Sequence, residues 1–208
     1  MTTTTKRHGL HLAVVADNRD RGARLKLTFP WLSDDDASAW ARIAVPLAGA
    51  GAGTYALPEI GDQVVVVFEH GDIDRPIVVG ALWSAAQPPP ESNAGGDNPA
   101  ALIKSRAGHR VIFDDVHGRV TIVDATRESS ITLDADGDAV RIHSAGDLTI
   151  RAAGNVAITA NAVAIAATDT LAVSGRDAAV RAATLSVTAG TQLVAAGASV
   201  TARSGVES

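Results

Sequence analysis

Ala139-Val-Arg-Ile-His-Ser-Ala-Gly-Asp-Leu-Thr-Ile-Arg-Ala-Ala-Gly-Asn-Val-Ala-Ile158 carries the pattern that decides the fold. An apolar residue, a spacer and a second apolar residue recur as Val140/Ile142, Leu148/Ile150 and Val156/Ile158. The series runs on as Val163/Ile165, Leu171/Val173 and Leu185/Val187. First members of successive pairs stand 8, 8, 7 and 8 residues apart, then 14, which is two units of seven with a weaker copy near Val180. Gly146, Gly154, Gly175, Gly190 and Gly197 mark the turns, and Asp138, Asp147 and Asn155 open successive units. An i, i+2 spacing places both apolar side chains on one face of a short strand. Gly, Asp and Asn suit the tight or left-handed turns between such strands. A short fixed period is the mark of a stacked architecture.

One such unit buries almost nothing by itself, so neighbours must supply the rest of the wall. A single chain can do this as a solenoid, with about three units to a coil. Three parallel chains can instead contribute one strand each per layer and wrap around a shared three-fold axis. The second arrangement accounts for the side-chain sizes. From Arg151 onward there is no Phe, Trp, Tyr or Met and alanine is abundant, as befits an axis with room for Val, Ile and Ala. It would also pair backbone groups between chains and leave few open edges. The expected axial core is Val140, Ile142, Leu148, Ile150, Val156, Ile158, Val163, Ile165, Leu171, Val173, Leu185 and Val187.

Upstream, residues 10–83 read as short strands between turn signals. Leu10-His-Leu-Ala-Val-Val15 is followed by a polar turn, and Arg24-Leu-Lys-Leu-Thr-Phe29 alternates with period two until Pro30. Ser33-Asp-Asp-Asp36 reads as an acidic loop, and residues 39–45 as a further alternating strand. Gly49-Ala-Gly-Ala-Gly53 reads as a flexible loop. The unbroken run Val64-Val-Val-Val-Phe68 predicts a strand covered on both sides, and residues 77–83 the last strand. Some five antiparallel strands in this length suit a small closed barrel of the OB type, with no evident helix. Gln87-Pro-Pro-Pro90 and the polar, Gly-rich residues after it read as a spacer. The expected organisation is a flexible arm (1–8), an OB barrel (9–86), a Pro/Gly-rich linker (87–103) and the repeat region (104–208).

Composition narrows the function. The chain has 208 residues, 46% hydrophobic but only 3% aromatic, with a net charge of −5 and no cysteine. There is no basic field for nucleic acid or anionic lipid, no disulfide framework and no thiolate metal site. No signal-peptide core or membrane-spanning apolar run is visible, which predicts a soluble protein made in the cytoplasm. Nucleic-acid binding by an OB barrel needs a basic groove with stacking aromatics, whereas acidic side chains outnumber basic ones in residues 1–90. Glycan cleavage on a solenoid needs paired carboxylates on a wide face, whereas Asp147, Asp169 and Asp177 stand alone.

The remaining motifs read as structural. His8 and His11 have a ligand-like spacing without acidic or Cys partners. Asp34-Asp-Asp36 and Glu69/Asp72/Asp74 fall in turns, where Asp bonds its own backbone. Arg75 is expected to hold its turn through Asp72 and Asp74. The Gly49–Gly53 run lacks the Lys-Ser/Thr of a phosphate loop, and Ser129-Ser130 has no nucleophile-activating partner. No catalytic residue, metal or cofactor is expected.

Several of these segments together resemble the OB fold of contractile-tail spike proteins, the VgrG proteins of type VI secretion and the baseplate assembly protein V of contractile phages. They are Arg24-Leu-Lys-Leu-Thr-Phe-Pro-Trp31, Ala39-Trp-Ala-Arg42, Gly49 to Gly53, Leu57-Pro-Glu-Ile-Gly61-Asp-Gln-Val-Val-Val65 and Glu69-His-Gly-Asp72-Ile-Asp74-Arg75-Pro76-Ile-Val-Val-Gly80. Lys104-Ser-Arg-Ala-Gly108-His-Arg-Val-Ile-Phe-Asp-Asp115, followed by the octads, is similar to the start of the VgrG needle. The resemblance runs from about Gly9 to the C-terminus with the motifs in the same order. It implies an all-β homotrimer: a five-stranded OB barrel, whose β-turn is formed by Asp72, Asp74, Arg75 and Pro76, followed by a triple-stranded intertwined β-helix that pierces a membrane mechanically. VgrG carries a hub region ahead of its OB fold, so the resemblance implies a separate hub protein at the barrel end. Some phage spikes end in an iron-binding His-x-His motif, and no His follows His143. The resemblance therefore implies a separate PAAR-like tip protein, contacting Gly205, Val206, Glu207 and Ser208, and an assembly with baseplate and tail tube components.

Overall fold

In residues 11–82 side chains alternate between a closed interior and the surface. The computed structural model describes residues 6–188, and among them the regular elements are thirteen strands and one short 3-10 turn. The chain divides into two units, residues 1–149 and 150–208.

The first strands are β1 (His11–Asp17), β2 (Lys26–Phe29), β3 (Ser33–Ala37), β4 (Arg42–Ile43), β5 (Ala48–Gly49), β6 (Ala52–Gly53), β7 (Gln63–Phe68) and β8 (Pro76–Leu82). Six of them form one sheet in the order β3-β2-β1-β7-β8-β4. It closes on itself where Leu25 and Ala41 exchange backbone hydrogen bonds of 2.9 and 2.7 Å. Ala13, Val15, Leu25, Leu27, Phe29, Ala41, Val64, Val66, Phe68 and Val78 fill the interior. Their i, i+2 spacing within β1, β2 and β7 is the period that the sequence displays. This is an all-β domain of the OB type, with one parallel pair, β4 with β8.

Four details differ from the sequence expectation. The barrel sheet has six strands, because Ser33–Ala37 is a strand and not an acidic loop; at a sheet edge a segment needs only one bonded neighbour and tolerates residues of poor strand propensity. Residues 39–45 supply only the two-residue β4. The run 49–53 is no open loop: it holds the end of β5, the turn and all of β6 in a tight hairpin. A Cβ on Gly53 would lie 2.6 Å from the Leu47 carbonyl oxygen, so only glycine allows that approach. Strand β7 is covered fully on one side alone: Val64, Val66 and Phe68 are buried while Val65 and Val67 are half-buried.

The described part of the N-terminal arm is docked. Arg7 donates its N–H to the Gly71 carbonyl at 2.9 Å and stacks its guanidinium over Trp31. Gly71, at φ +77°, leaves room for Lys6 and His8.

Beyond the barrel, β9 (Ala100–Lys104), β10 (Arg110–Asp114), β11 (Arg119–Val123), β12 (Ser130–Asp134) and β13 (Ala139–His143) form an antiparallel meander in simple order. Strand β9 occupies most of the last residues that the sequence reading gave to the linker. Ala100-Ala-Leu-Ile-Lys104 is short and follows Pro99, yet β10 pairs with it over its whole length. Of the octad pairs only Val140/Ile142 lies in a strand; among residues 144–188 there is none. A strand needs a bonded neighbour, and within one chain these units have none.

Candidate assembly surface

The meander has two chemically distinct faces, and its register fixes which residue stands on which. One row across the five strands runs Ile103, Val111, Ile122, Ile131, Ile142. A second row on the same face runs Ala101, Phe113, Val120, Leu133, Val140. Every position of both rows is apolar. None is buried: Ile122 is 52% exposed, Leu133 50% and Ile142 59%. A shallow cavity of about 540 Å³ lies along the first row and reaches Leu148.

The opposite face is mixed: Leu102, Ile112 and Val123 share it with Thr121, Thr132, Arg119, Arg141 and Asp134, these charged groups gathering on β11–β13. The Asp134 side chain is 4% exposed and accepts from Arg141 Nη1 at 2.6 Å, from the Gly137 N–H at 3.0 Å and pairs with Arg119 Nε at 3.3 Å. Arg141 first, then the Gly137 N–H, with Arg119 adding, hold its carboxyl below the usual carboxylate range. One carboxylate thus ties β11, β12 and β13 together. A lowered acid pKa stabilises the fold above the unfolded value, about 3.9, and the stabilisation is lost as pH falls through the folded value. Asp134→Asn is expected to lower the thermal midpoint at neutral pH and to flatten its acid dependence. Melts of both chains between pH 7 and about 3 check this; parallel acid profiles would remove Asp134 from the account.

The octads repeat the chemistry of the apolar face. Val140, Ile142, Leu148, Ile150, Val156, Ile158, Val163, Ile165, Leu171, Val173, Leu185 and Val187 are each between 55% and 80% exposed. Fully burying a side chain of this size contributes about 1.5–3 kcal/mol, so leaving twelve mostly in water forfeits on the order of 20 kcal/mol. That exceeds the whole stability of a typical domain.

Of the other candidate residues, Asp72, Asp74 and Arg75 lie between β7 and β8 and Pro76 opens β8, with Asp72 Oδ1 accepting from the Asp74 N–H at 3.0 Å. The Arg75 guanidinium reaches Glu69 at 3.0 Å and not the two aspartates, a correction to the sequence reading; Asp72 already caps the turn backbone. Arg42 meets the same Glu69 carboxylate at 2.8 Å. His11 does not pair with His8 but packs between Trp31 and Phe68, at ring distances of 5.0 and 5.1 Å. Among the described residues no group of three or more His, Asp or Glu could hold a metal ion. Gly205, Val206, Glu207 and Ser208 lie outside the described residues.

Sequence reasoning began the apolar series at Val140 and missed its earlier members on β9–β12. The signal was present: Val111/Phe113, Val120/Ile122 and Ile131/Leu133 have the same i, i+2 spacing as the octads. Longer turns had obscured the period.

Residues 11–83 match the family described as the type VI secretion system/phage-baseplate injector OB domain. The type VI secretion system spike protein VgrG4b of Pseudomonas aeruginosa is 35% identical over 113 residues, covering 45% of this chain and 14% of that protein. VgrG2a of the same organism is 33% identical over 128 residues, 60% of this chain and 15% of the relative. The spike protein VgrG3 of Vibrio cholerae is 37% identical over 75 residues, 34% of this chain and 7% of the relative. The chain thus spans about a seventh or less of the length of these relatives. Residues 11–83 thus carry an injector OB domain of the type VI secretion and phage-baseplate kind, and over its matched residues the chain is similar to VgrG spike proteins.

Proposed function

We propose that this chain is the central spike of a contractile injection machine and works as a homotrimer. The observation that carries the reading is the uncovered apolar face of the meander, continued by the exposed octad pairs. Three copies turning these faces toward one axis would bury all of them at once. The repeat region would then be a triple-stranded intertwined β-helix in which backbone groups pair between chains. In this reading residues 9–86 are the base and 104–208 the needle, and the 87–103 linker ends where β9 (Ala100–Lys104) joins the meander. Sheath contraction supplies the work, and the needle passes it to the target envelope; layered hydrogen bonds resist that load because many must break together.

The role is structural and not enzymatic. The partners are two further copies of the chain, a hub at the barrel end, a PAAR-like tip at the C-terminal end through residues 205–208, and baseplate and tail tube components. The target membrane is met mechanically, and nucleic acid has no place in the scheme. Assembly would occur in the cytoplasm. No helix among the described residues is long and apolar enough to cross a membrane.

The mass of the purified protein by light scattering tests this, with an unboiled detergent gel beside it. Three chains, resistant to detergent, are expected. A one-chain mass would end the interchain needle and return the octads to a single-chain solenoid with a binding or glycan-degrading role.

A further inference from the structure

We infer that the β9–β13 meander is the registration element of the trimer, the surface on which three copies of this chain align before their octads wind. This rests on the trimeric reading above and on a difference between two segments of the chain.

The octads cannot set their own alignment. Their units share one pattern, so displacing one chain by a unit sets Leu148/Ile150 where Val156/Ile158 belongs with apolar side chains still inward, and only the seven-residue steps, such as that from Val156 to Val163, oppose the slip. Slips that preserve the inward face are weakly opposed. Nor do residues 144–188 offer a formed surface, since none of them lies in a strand. Three such segments would have to order and meet in one event, against the backbone entropy of every residue involved.

The meander differs on both counts. Its five strands pair within one chain through short hairpins, so its apolar face exists before any partner arrives. That face also carries a landmark. On its second row a single aromatic, Phe113, faces a lone small residue, Ala101, at the β9–β10 end, and every other position of both rows is Val, Leu or Ile. No shifted alignment reproduces it.

The occupant of the face is a second copy of this chain, by continuity. Its last pair, Val140/Ile142, is also the first octad pair, so the chains that wind with the octads must already lie against β13. Charge agrees with this choice: both rows lack any ionisable group, which suits a surface meeting its own copies without like-charge repulsion.

The test compares single substitutions in the full-length chain. Ile122→Lys and Thr121→Lys put the same group on opposite faces of β11, and Ile158→Lys puts it in the octads. Light scattering gives the mass, limited proteolysis the state of the needle, and tryptophan fluorescence the state of the barrel. Ile122→Lys is expected to fall from three chains to one with its barrel folded. Thr121→Lys stays at three, and Ile158→Lys stays at three but is cut within its octads. Should Ile122→Lys misfold, Ile131→Ser removes apolar area without adding charge and is expected to weaken association at least tenfold. A three-chain Ile122→Lys, or an Ile158→Lys that falls to one chain, overturns the inference while the trimer stands. A wild-type mass of one chain overturns both.

Discussion

Ile150→Asp is expected to leave a trimer joined at its meanders with its needle undone. In the proposed arrangement three copies of residue 150 face one axis, so the substitution gathers three carboxylates there. Each loses its hydration, at an effective cost of several kcal/mol, and each repels the other two. The lost apolar contact adds about 1.5–3 kcal/mol per chain. The total, on the order of 10 kcal/mol or more, exceeds what one layer of small aliphatic side chains can offset. Crowded, desolvated carboxyls have raised pKa values. For an acid the folded state then holds more protons than the unfolded one, so the penalty is absent below the unfolded value, about 3.9, and grows as pH rises above it. Acidification should therefore restore the needle. Ile150→Asn, polar but uncharged, should show a smaller defect with no pH dependence. Limited proteolysis at pH 7 and about pH 4 reads both effects. Wild-type resistance of Ile150→Asp at pH 7 would take residue 150 off the axis.

What could be read in the sequence was what repeats or alternates. Leu25, Leu27 and Phe29 were visible as one side of a strand, because a period of two survives in sequence when a face is buried; Val64 to Phe68 was visible as a strand, but its unbroken apolar run hid that only one side is fully covered. The octads were legible by the same i, i+2 spacing, although their apolar side chains stand exposed in the single chain. Features that depend on a neighbour far along the chain were not. Ser33–Ala37 is a strand only because β2 offers it an edge, and its three aspartates argue locally for a loop. Arg75 chooses Glu69 over the nearer Asp72 because the 3-10 turn at Glu69–Gly71 folds that carboxylate back toward it. Asp134 carries no local sign that Arg119 and Arg141, on the two strands beside its own, will converge on it. The apolar face of the meander lay between these cases: its i, i+2 pairs stand in the sequence, but their unequal turns hid that all five strands turn the same side to one surface.

Phe29→Ala is expected to unfold the barrel at temperatures where the needle persists. Phe29 is 2% exposed and holds the aromatic cluster together, 5.5 Å from Trp31 and 5.7 Å from Phe68. Truncating a buried Phe costs about 3–5 kcal/mol, part transfer and part cavity. The interior of this barrel is a set of ten residues, six of them Ala or Val, and their short side chains cannot swing in to fill the void. In a domain of this size 1 kcal/mol moves the midpoint by roughly 4–8 °C, so a fall on the order of 15 °C or more follows. Whether the loss spreads depends on what ties barrel to meander. The ion pair Arg106–Glu59, at 3.1 Å with both side chains largely exposed, is the kind worth about 0–1 kcal/mol. Arg110–Glu91, also at 3.1 Å, fastens the connecting segment and not the barrel wall. These ion pairs add little to the coupling, and separate melting is the expected outcome. Calorimetry of the wild type should show two transitions, and in Phe29→Ala the lower one alone should move. A single transition, shifted as a whole, would mean that the barrel and the needle fold as one cooperative unit.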